Sequence, residues 1–345
     1  MERSRKLDHD GLAVIHAAKK RRQRSTAKKK ASLRKKGSKL KPTRRNKAST
    51  KKHKHPRHRK PQALLPLYHE GPLQKAYAAG YKEGVYQGGE AIVERLVPSG
   101  KILPGVTAEA LIQSGLMQHQ AEMLEITDSV QVADEIRSAL DERRSFSLVR
   151  LGDGELLTLA YGTIIASSEA HELGAFLPYA GVPLPDASVQ SLLMDSIQKA
   201  DYVGVPMSRR PEFQMLLFAI SKHYGWNLTQ NRLTNSLINY QLHHHGLLLS
   251  ILAEQRVLLI GNKAAETADR MRKQGVNVVG SISPVRGFED IERVLEQCRM
   301  YEFDICLIAA GVPAVVLCQR IASGDKKVAI DIGHLADQMI QESQQ

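Results

Sequence analysis

The chain has 345 residues, and its 49 lysines and arginines against 36 aspartates and glutamates give a formal net charge of +13 at pH 7. The excess lies in residues 1 to 60, where 25 basic residues face three acidic ones; the remaining 24 basic and 33 acidic residues give a net charge of −9. No apolar run approaches the roughly 20 residues that span a bilayer, and the basic N-terminus lacks the apolar core of a signal peptide. We therefore expect a cytoplasmic protein.

Residues 1 to 62 form a lysine- and arginine-rich tail that we predict to be disordered. They contain few apolar side chains whose burial would offset the entropy cost of ordering the chain. Their positive charge indicates non-specific binding to a polyanion, such as a nucleic acid or an anionic surface. The tail has no aromatic residues that would stack on bases. A solvated tail without a dedicated partner is the alternative.

Residues 63 to 127 are predicted to form a helical connector. The segment 76–97 has helical patterning, and its tyrosines recur at spacings of four and five residues: Tyr77, Tyr81 and Tyr86. Glycines recur through the same segment and weaken a helix. Such a helix needs a partner surface, which predicts packing on the main domain or on a second copy in a homo-oligomer.

From residue 128 to 341, apolar strands alternate with amphipathic helices. Asp128 is expected to cap a helix that ends near Leu140. The predicted strands are 146–151, 202–206, 256–261, 277–282, 304–310 and 328–332. The predicted helices are 187–199, 211–224, 264–274, 288–301, 312–321 and a last one from 334. This alternation indicates an α/β fold, with a Rossmann-like, mostly parallel sheet and helices on both faces.

Asp153 and Glu155 stand where the first of these strands ends in a glycine-containing turn. In parallel sheets, ligands bind beyond the carboxyl ends of the strands. Carboxylate oxygens are suitable ligands for Mg²⁺ or Mn²⁺, and such a cation stabilises charge on a departing nucleoside diphosphate. The pair therefore indicates metal-assisted transfer from a nucleotide sugar. A plain helix start, with Asp153 as N-cap and Glu155 near the positive end of the helix, is the alternative.

Two segments of the chain resemble a known family. The run from Arg150 to Leu156 resembles the arginine, glycine, Asp-Gly-Glu signature of the GT-D-type glycosyltransferases. Far along the chain, the Asp-Ile-Gly-His segment at 331–334 is similar to the closing segment of that family. Two matches in the right order, separated by Rossmann-like alternation, are more specific than either alone. The resemblance covers residues 130 to 340 and implies a GT-D fold and hexosyltransferase activity.

The resemblance implies the reaction class and does not choose the sugar. On this basis we predict a UDP-linked sugar donor, a glycan or glycoprotein acceptor, and an Mn²⁺ or Mg²⁺ cofactor. The family's Asp-x-Glu motif engages metal and nucleotide sugar, so Asp153 and Glu155 are expected to be metal ligands and catalytic residues. His334 is a third candidate catalytic residue, since a histidine can bind phosphate or exchange a proton near neutral pH. The candidate nucleotide-sugar-binding residues lie at strand exits: Arg150, Gly152, Gly261, Asn262, Lys263, Gly311 and Asp331.

Two strand exits depart from the family pattern. Where the family has a stretch rich in glycine, acids and arginine, this chain has Gly-Asn-Lys at 261–263. The family's Gly-Pro-Thr-Ala-like turn is replaced by Ala-Gly-Val-Pro-Ala at 310–314. Gly261 and Gly311 still allow a phosphate or a ribose to approach the strand ends. The departures concern which donor is selected.

Several polar residues outside the two motifs were also considered as site residues. Consecutive histidines at 243–245 would face different directions on a helix, so we predict packing or surface roles for them. Arg209, Arg210 and Arg232 are candidates for contact with the diphosphate or the acceptor, with solvated arginines as the alternative. Glu169 is the candidate for the base that accepts the proton of the acceptor hydroxyl.

Two other functions remain open from the sequence. One is a non-catalytic polyanion-binding protein that keeps a nucleotide-sugar-binding fold as an interaction module. The other is a Rossmann-like enzyme that uses a dinucleotide. The segment 261–265 argues against the latter, because it lacks the Gly-x-Gly-x-x-Gly loop expected after a strand.

Overall fold

A computed structural model describes residues 72–182 and 186–342. The predicted tail, residues 1 to 62, and the beginning of the connector lie outside the described residues. The described residues fall into two units, over 72–123 and over 124–342. Among them, no helix is both long enough and apolar enough to cross a bilayer.

The smaller unit is helical. Its elements are α1 (Pro72–Gly88), α2 (Glu90–Leu96), α3 (Ala108–Gln118) and a 3₁₀ turn (Gln120–Glu122). The single helix predicted over 76–97 is interrupted at Gly89, where φ is −139° and ψ is −89°. Tyr77 and Tyr81 are 74% and 64% exposed. The partner surface predicted for these tyrosines stays a prediction.

Seven strands form the sheet of the larger unit. They are β1 (Phe146–Arg150), β2 (Tyr202–Val205), β3 (Arg232–Asn235), β4 (Val257–Gly261), β5 (Val278–Ile282), β6 (Ile305–Ala309) and β7 (Val328–Asp331). Their order is β3-β2-β1-β7-β6-β4-β5, and every neighbouring pair is parallel. The predicted α/β class with a parallel sheet is confirmed.

Helices alternate with these strands, as predicted. They are α4 (Ser129–Asp141), α5 (Asp153–Ala160), α6 (Ser167–Leu173), α7 (Ala187–Lys199), α8 (Leu216–Tyr224), α9 (Ile238–His244), α10 (Leu247–Leu252), α11 (Ala264–Lys273), α12 (Ile291–Cys298), α13 (Pro313–Asp325) and α14 (Leu335–Gln341). The Asp128 carboxylate accepts the backbone N–H groups of Val130 and Gln131, both at 2.9 Å. The predicted cap of α4 is therefore confirmed.

Two helical layers bury the two faces of the sheet. On β1, Val149 belongs to one apolar core, and Phe146 and Leu148 belong to the other. The first core is completed by α5 to α8, α12 and α13, and the second by α4, α9 to α11 and α14. Because both faces are covered, the central strands β4 and β6 are apolar almost throughout rather than alternating.

Four elements of the larger unit were not predicted: β3, α6, α9 and α10. The β3 strand is a four-residue edge strand, Arg-Leu-Thr-Asn, so it lacks a continuous apolar run. The helix predicted over 211–224 is also wrong at its start. A π turn (Pro211–Met215) occupies that stretch, with Phe213 at φ −120° and ψ −106°, and α8 begins only at Leu216.

The order of the strands places the carboxyl ends of β1 and β7 side by side. Phe146 is in register with Val328, and Leu148 with Ile330. After β1 the chain enters α5 in one helical layer, and after β7 it enters α14 in the other. The two connections therefore diverge, and α/β sheets commonly bind ligands beside such a divergence.

Candidate active site

The turn after β1 starts α5 with a glycine in place of a capping side chain. Gly152 has φ −103° and ψ −164°, an extended conformation, and has no side chain to cap the helix. Glu155 Oε2 instead accepts the N–H of Gly152 at 2.7 Å. Asp153 is exposed, and its Oδ1 accepts the N–H of Gly154 at 3.0 Å. Glu155 thus closes the turn, and the Asp153 side chain faces solvent.

Arg150, the last residue of β1, is bound by the end of β7. Its Nε donates to the backbone oxygen of Asp331 at 3.0 Å, and its Nη2 donates to Asp331 Oδ1 at 3.0 Å. Its Nη1 donates to the backbone oxygen of Ser236, after β3, at 3.1 Å. The two motifs, 181 residues apart in the chain, are therefore joined directly.

Two glycines leave room for the Arg150 side chain. Gly333 has φ +44°, and a Cβ there would lie 2.0 Å from Arg150 Nη2. A Cβ at Gly204, on β2, would lie 3.1 Å from Arg150 Cγ. The first position therefore disfavours any side chain, both by its backbone conformation and by contact with the arginine. The glycine of the Asp-Ile-Gly-His segment is required by the arginine of the other motif.

The Glu155 and Asp331 carboxyl groups share this buried environment. Burial raises the pKa of Glu155 to about 7, and the Asp331 charge adds to the rise, while Arg150 opposes it. The Glu155 side chain keeps part of its surface exposed, although its carboxyl group lies deep in the protein. Burial also raises the pKa of Asp331, against the opposing effect of its ion pair with Arg150. One arginine thus faces two carboxyl groups, and burial favours the protonated form of each.

His334 follows the same strand exit. It immediately precedes α14 and its side chain is exposed. The preceding Asp331 Oδ1 accepts the N–H of Gly333 at 2.9 Å, which holds the turn before the histidine. Asp153, Asp331 and His334 therefore lie at neighbouring strand exits, as the two motifs predicted.

The exit of β4 holds the Gly-Asn-Lys segment. Gly261 has φ +143°, and a Cβ there would lie 2.2 Å from the backbone oxygen of Ala309 on β6. Asn262 Oδ1 accepts the N–H of Val285 at 2.9 Å. The Lys263 ammonium is exposed and forms an ion pair with Asp337 on α14. These three residues occupy the predicted edge, and Asn262 and Lys263 already have protein partners.

The exit of β6 is covered by the segment 174–182. Gly311 has φ +63°, and a Cβ there would lie 2.4 Å from the backbone oxygen of Ala180. That oxygen accepts the N–H of Val312 at 3.0 Å. A Cβ at Gly154 on α5 would lie 4.0 Å from Ala180 Cβ. The segment therefore spans from the first turn of α5 to the start of α13.

A buried amide at the β7 exit was missed from the sequence. Asn239, on α9, is 1% exposed, and its Nδ2 donates to the backbone oxygen of Ile332 at 2.7 Å. Asn239 Oδ1 is buried without a hydrogen-bond partner. No sequence signal pointed to it, because α9 itself was not predicted. Asn239 supports the turn that carries Gly333 and His334.

The three histidines at 243–245 join helices rather than hold a ligand. His243 Nε2 lies 3.2 Å from Glu342 Oε2, and His245 Nδ1 lies 3.1 Å from Ser129 Oγ. His244 Nε2 lies 3.0 Å from Gln338 Nε2 on α14. These contacts agree with the packing role expected for them.

Arg232 is not part of the candidate site, contrary to one expectation. It is the first residue of β3, so it lies at the opposite edge of the sheet from the strand exits. Its Nη1 lies 2.8 Å from Glu135 Oε1, and its guanidinium lies over the Tyr202 ring. A cavity of 670 Å³ opens there, and its lining includes Glu125 and Glu135. Arg209 and Arg210 do follow β2 at the correct edge and are exposed.

The carboxylates fit a cation that is shared with a diphosphate. Over residues 72–182 and 186–342, no three His, Cys, Asp or Glu side chains are grouped so as to hold a metal ion by themselves. Mg²⁺ commonly binds through one or two carboxylates together with substrate phosphates and water. Asp153 is exposed at the turn, and Glu155 adds a second carboxylate once it is deprotonated. This donor set suits such a shared cation.

A parallel α/β sheet with polar residues gathered at the β1 and β7 exits defines a ligand-binding α/β protein of the Rossmann-like class. The family model for GT-D fold-like domains matches residues 127–339 of the chain. The chain belongs to this GT-D-like family and is a glycosyltransferase. The family implies a nucleotide-sugar donor and a glycan acceptor.

Solved structures of the same fold are distant. A glycosyltransferase from Streptococcus sanguinis with the domain of unknown function 1792 is 15% identical, with a TM-score of 0.44, and the match covers 64% of this chain and 86% of that one. A second structure of that domain, described as having a distinct glycosyltransferase fold, is 14% identical, with a TM-score of 0.42 and coverages of 64% and 82%. No curated protein matches the chain. The family match carries the assignment.

Proposed function

We propose that the protein transfers a hexose from a UDP-linked donor to a hydroxyl of a glycan or glycoprotein, with Mn²⁺ or Mg²⁺ as cofactor. The observation that carries this proposal is the ion pair of Arg150 with Asp331, which brings the Asp-Gly-Glu turn and the Asp-Ile-Gly-His turn together. Two distant segments meet where α/β sheets bind ligands. The family match supports the reaction class.

In this proposal, Asp153 and Glu155 hold the cation at the diphosphate of the donor. A bound cation supplies positive charge that stabilises the departing nucleoside diphosphate. Glu155 must lose its proton to act as a ligand, and burial raises its pKa to about 7. Metal binding below pH 7 is therefore expected to release a proton.

Arg150 has a different role from the one its sequence position suggested. Three of its N–H groups are engaged by Asp331 and Ser236. We assign it to positioning the β7 turn and the Asp331 carboxylate, rather than to direct contact with the nucleotide. Asp331 in turn holds Gly333 and keeps His334 at the carboxyl edge of the sheet.

The remaining predicted residues form the nucleotide side of the proposed site. The backbone of Ala309 and Ala180 lies against Gly261 and Gly311, so these glycines shape the β4 and β6 exits rather than leave room for a phosphate, and the exposed Lys263 ammonium is paired with Asp337. The exposed imidazole of His334 is suited to bind a phosphate or to accept the proton of the acceptor hydroxyl.

Calorimetry with UDP tests the role of the carboxylates. Wild type is titrated with UDP in the presence of Mn²⁺ and again with EDTA, beside the double variant Asp153→Ala, Glu155→Ala. The expected result is metal-dependent UDP binding that the double variant loses. The matched control replaces two exposed carboxylates at the other edge, Asp141→Ala with Asp195→Ala, and should bind as wild type does. Equal UDP affinity in the site variant would remove the proposed role of the pair.

The charge of residues 1 to 60 supports a second activity, non-specific polyanion binding. A chain that lacks residues 1 to 60 should lose salt-sensitive binding to heparin or DNA and keep UDP binding. Unchanged polyanion binding by the shortened chain would remove this role. A full chain that binds polyanions but no UDP-sugar would favour the non-catalytic alternative.

A further inference from the structure

The segment 174–182 is fixed to the protein along its length. Leu177 and Val182 are 3% and 1% exposed, and the N–H of Val182 donates to the backbone oxygen of Leu177 at 2.9 Å. A Cβ at Gly181, where φ is +86°, would lie 3.0 Å from Pro313 Cδ. Together with the bond from Val312 to Ala180, these contacts anchor the segment on the start of α13.

Tyr179 is the exception in this anchored segment. Its side chain is 83% exposed, although its neighbour Ala180 is held at the exit of β6. The backbone on which the ring stands is therefore rigid while the ring itself meets solvent. An exposed aromatic ring on a rigid support offers apolar area for binding at a low cost in conformational entropy.

Tyr179 stands at the β6 exit, because the backbone oxygen of the next residue, Ala180, lies against Gly311 and accepts the N–H of Val312. The pKa of Lys263 is raised by its hydrogen bond and ion pair with Asp337, and Tyr179 adds a smaller electrostatic contribution. This small contribution agrees with a place for Tyr179 on the β6 and β4 side of the edge. The β6 strand lies two places from β1 in the sheet, which corresponds to about 10 Å. A nucleoside diphosphate is long enough to place its phosphates at one position and its base at the other.

We propose that Tyr179 is a stacking platform for the base of the nucleotide in the donor sugar. The inference rests on the proposed function, because it takes the diphosphate to lie at Asp153 and Glu155. Bases stack on exposed aromatic rings through their faces, which requires no hydrogen-bond match. The phenol ring supplies the contact, so the hydroxyl group is not required.

Comparison of two ligands, one with a base and one without, distinguishes binding of the base from binding of the phosphates. Calorimetry with Mn²⁺ present compares UDP with inorganic pyrophosphate for wild type, Tyr179→Ala and Tyr179→Phe. We expect Tyr179→Ala to weaken UDP binding about tenfold or more and to leave pyrophosphate binding unchanged. Tyr179→Phe should bind UDP within about twofold of wild type, since it keeps the ring. The control is Tyr77→Ala on α1, which removes a tyrosine that is 74% exposed and lies outside the larger unit.

The outcomes distinguish this inference from the proposed function. If wild type binds UDP with metal and Tyr179→Ala binds it equally well, the platform is wrong and the proposed function stands. If Tyr179→Ala loses UDP and pyrophosphate alike, the side chain supports the segment rather than the base, and the inference also fails. If wild type binds pyrophosphate but not UDP, both the donor class and the platform are wrong.

Discussion

Two arginine–aspartate pairs join neighbouring strands at opposite edges of the same sheet. At the carboxyl edge, Arg150 Nη2 lies 3.0 Å from Asp331 Oδ1 and links β1 to β7. At the amino edge, Arg256 Nη2 lies 2.7 Å from Asp304 Oδ1, just before β4 and β6. The geometry of the two pairs is similar, but the Asp331 side chain is 5% exposed and that of Asp304 is 32% exposed.

The two aspartates have opposite pKa shifts. Hydrogen bonding to Arg256 lowers the pKa of Asp304, with a partial opposing effect of burial. Burial raises the pKa of Asp331, and the arginine reduces this rise only in part. The buried pair also faces Glu155, a second carboxyl group without an arginine of its own. The difference in burial therefore determines the direction of the pKa shift of each aspartate. Raised carboxyl pKa values of this kind are typical of functional sites.

Removal of the arginine from each pair should give the largest difference in stability loss between the two edges. Arg150→Ala leaves the Asp331 carboxyl buried without a positive charge beside it, and we expect it to lower the free energy of unfolding by about 3 to 5 kcal/mol. Arg256→Ala should cost about 1 kcal/mol or less, because its pair is exposed to solvent. Urea denaturation of the two variants measures both values. Adding Asp331→Asn to Arg150→Ala should recover part of the loss, and equal losses at the two edges would contradict the comparison.

The stability of the metal-free protein should fall as the pH rises from 4.5 to 7. The pKa of Glu155 is about 7 in the folded protein, against an ordinary value of 4.5, so the folded state keeps a proton that the unfolded chain releases in this window. The free energy of unfolding is then expected to decrease by on the order of 3 kcal/mol. Denaturation at several pH values with EDTA measures the slope. Glu155→Gln should flatten it and leave the part that belongs to Asp331; an unchanged slope would refute the assignment to Glu155.

Gly333→Ala tests the contact that the Arg150 side chain imposes. The new Cβ would meet Arg150 Nη2 in addition to adopting a left-handed backbone, and we expect a loss of about 2 to 3 kcal/mol. Gly225→Ala is the matched control, since Gly225 has φ +63° and nothing within 4 Å of the added Cβ. It should cost about 1 kcal/mol, the backbone contribution alone. If the two variants lost similar amounts of stability in thermal or urea denaturation, the Arg150 side chain would have moved away from the new Cβ without a measurable loss of free energy.

The amino edge should respond to acid in the opposite direction. The pKa of Asp304 lies below 3.8 in the folded protein, so its pair with Arg256 contributes stability above that pH. This contribution is lost as the pH falls through the folded pKa. Asp304→Asn should therefore destabilise the protein slightly at pH 6 and reduce the loss of stability below pH 4. A variant whose acid-induced unfolding matches that of wild type would contradict this small effect.

The location of the candidate site at the carboxyl edge of the sheet could be predicted from the sequence, because the alternation of apolar strands and helices shows where each strand ends. Uninterrupted apolar runs predicted a parallel sheet, and parallel strands bring their exits to one edge. The Asp-Gly-Glu and Asp-Ile-Gly-His segments were therefore expected at the same edge. The structure shows that they lie at adjacent strands.

The bonds within the site could not be predicted in the same way. The role of Arg150 depends on β7 lying beside β1, and strand order is not visible in local patterning. Glu155 was weighed as a metal ligand or a helix-start residue, and in the structure it accepts the N–H of Gly152. Asn239 lies on a helix whose short, mixed sequence gave no signal. Tyr179 lies in a segment that has no regular secondary structure.

The contact of Arg150 with Gly333 has a consequence for how such chains diverge. Neither position 150 nor position 333 can be substituted alone without cost. A side chain at 333 displaces the arginine, and loss of the arginine leaves the negative charge of Asp331 without a positive partner. Arg150, Asp331 and Gly333 should be inherited as a set. A related chain with a side chain at position 333 should also have replaced the arginine. A residue other than glycine at that position would therefore indicate that the ion pair between the β1 and β7 exits has been lost.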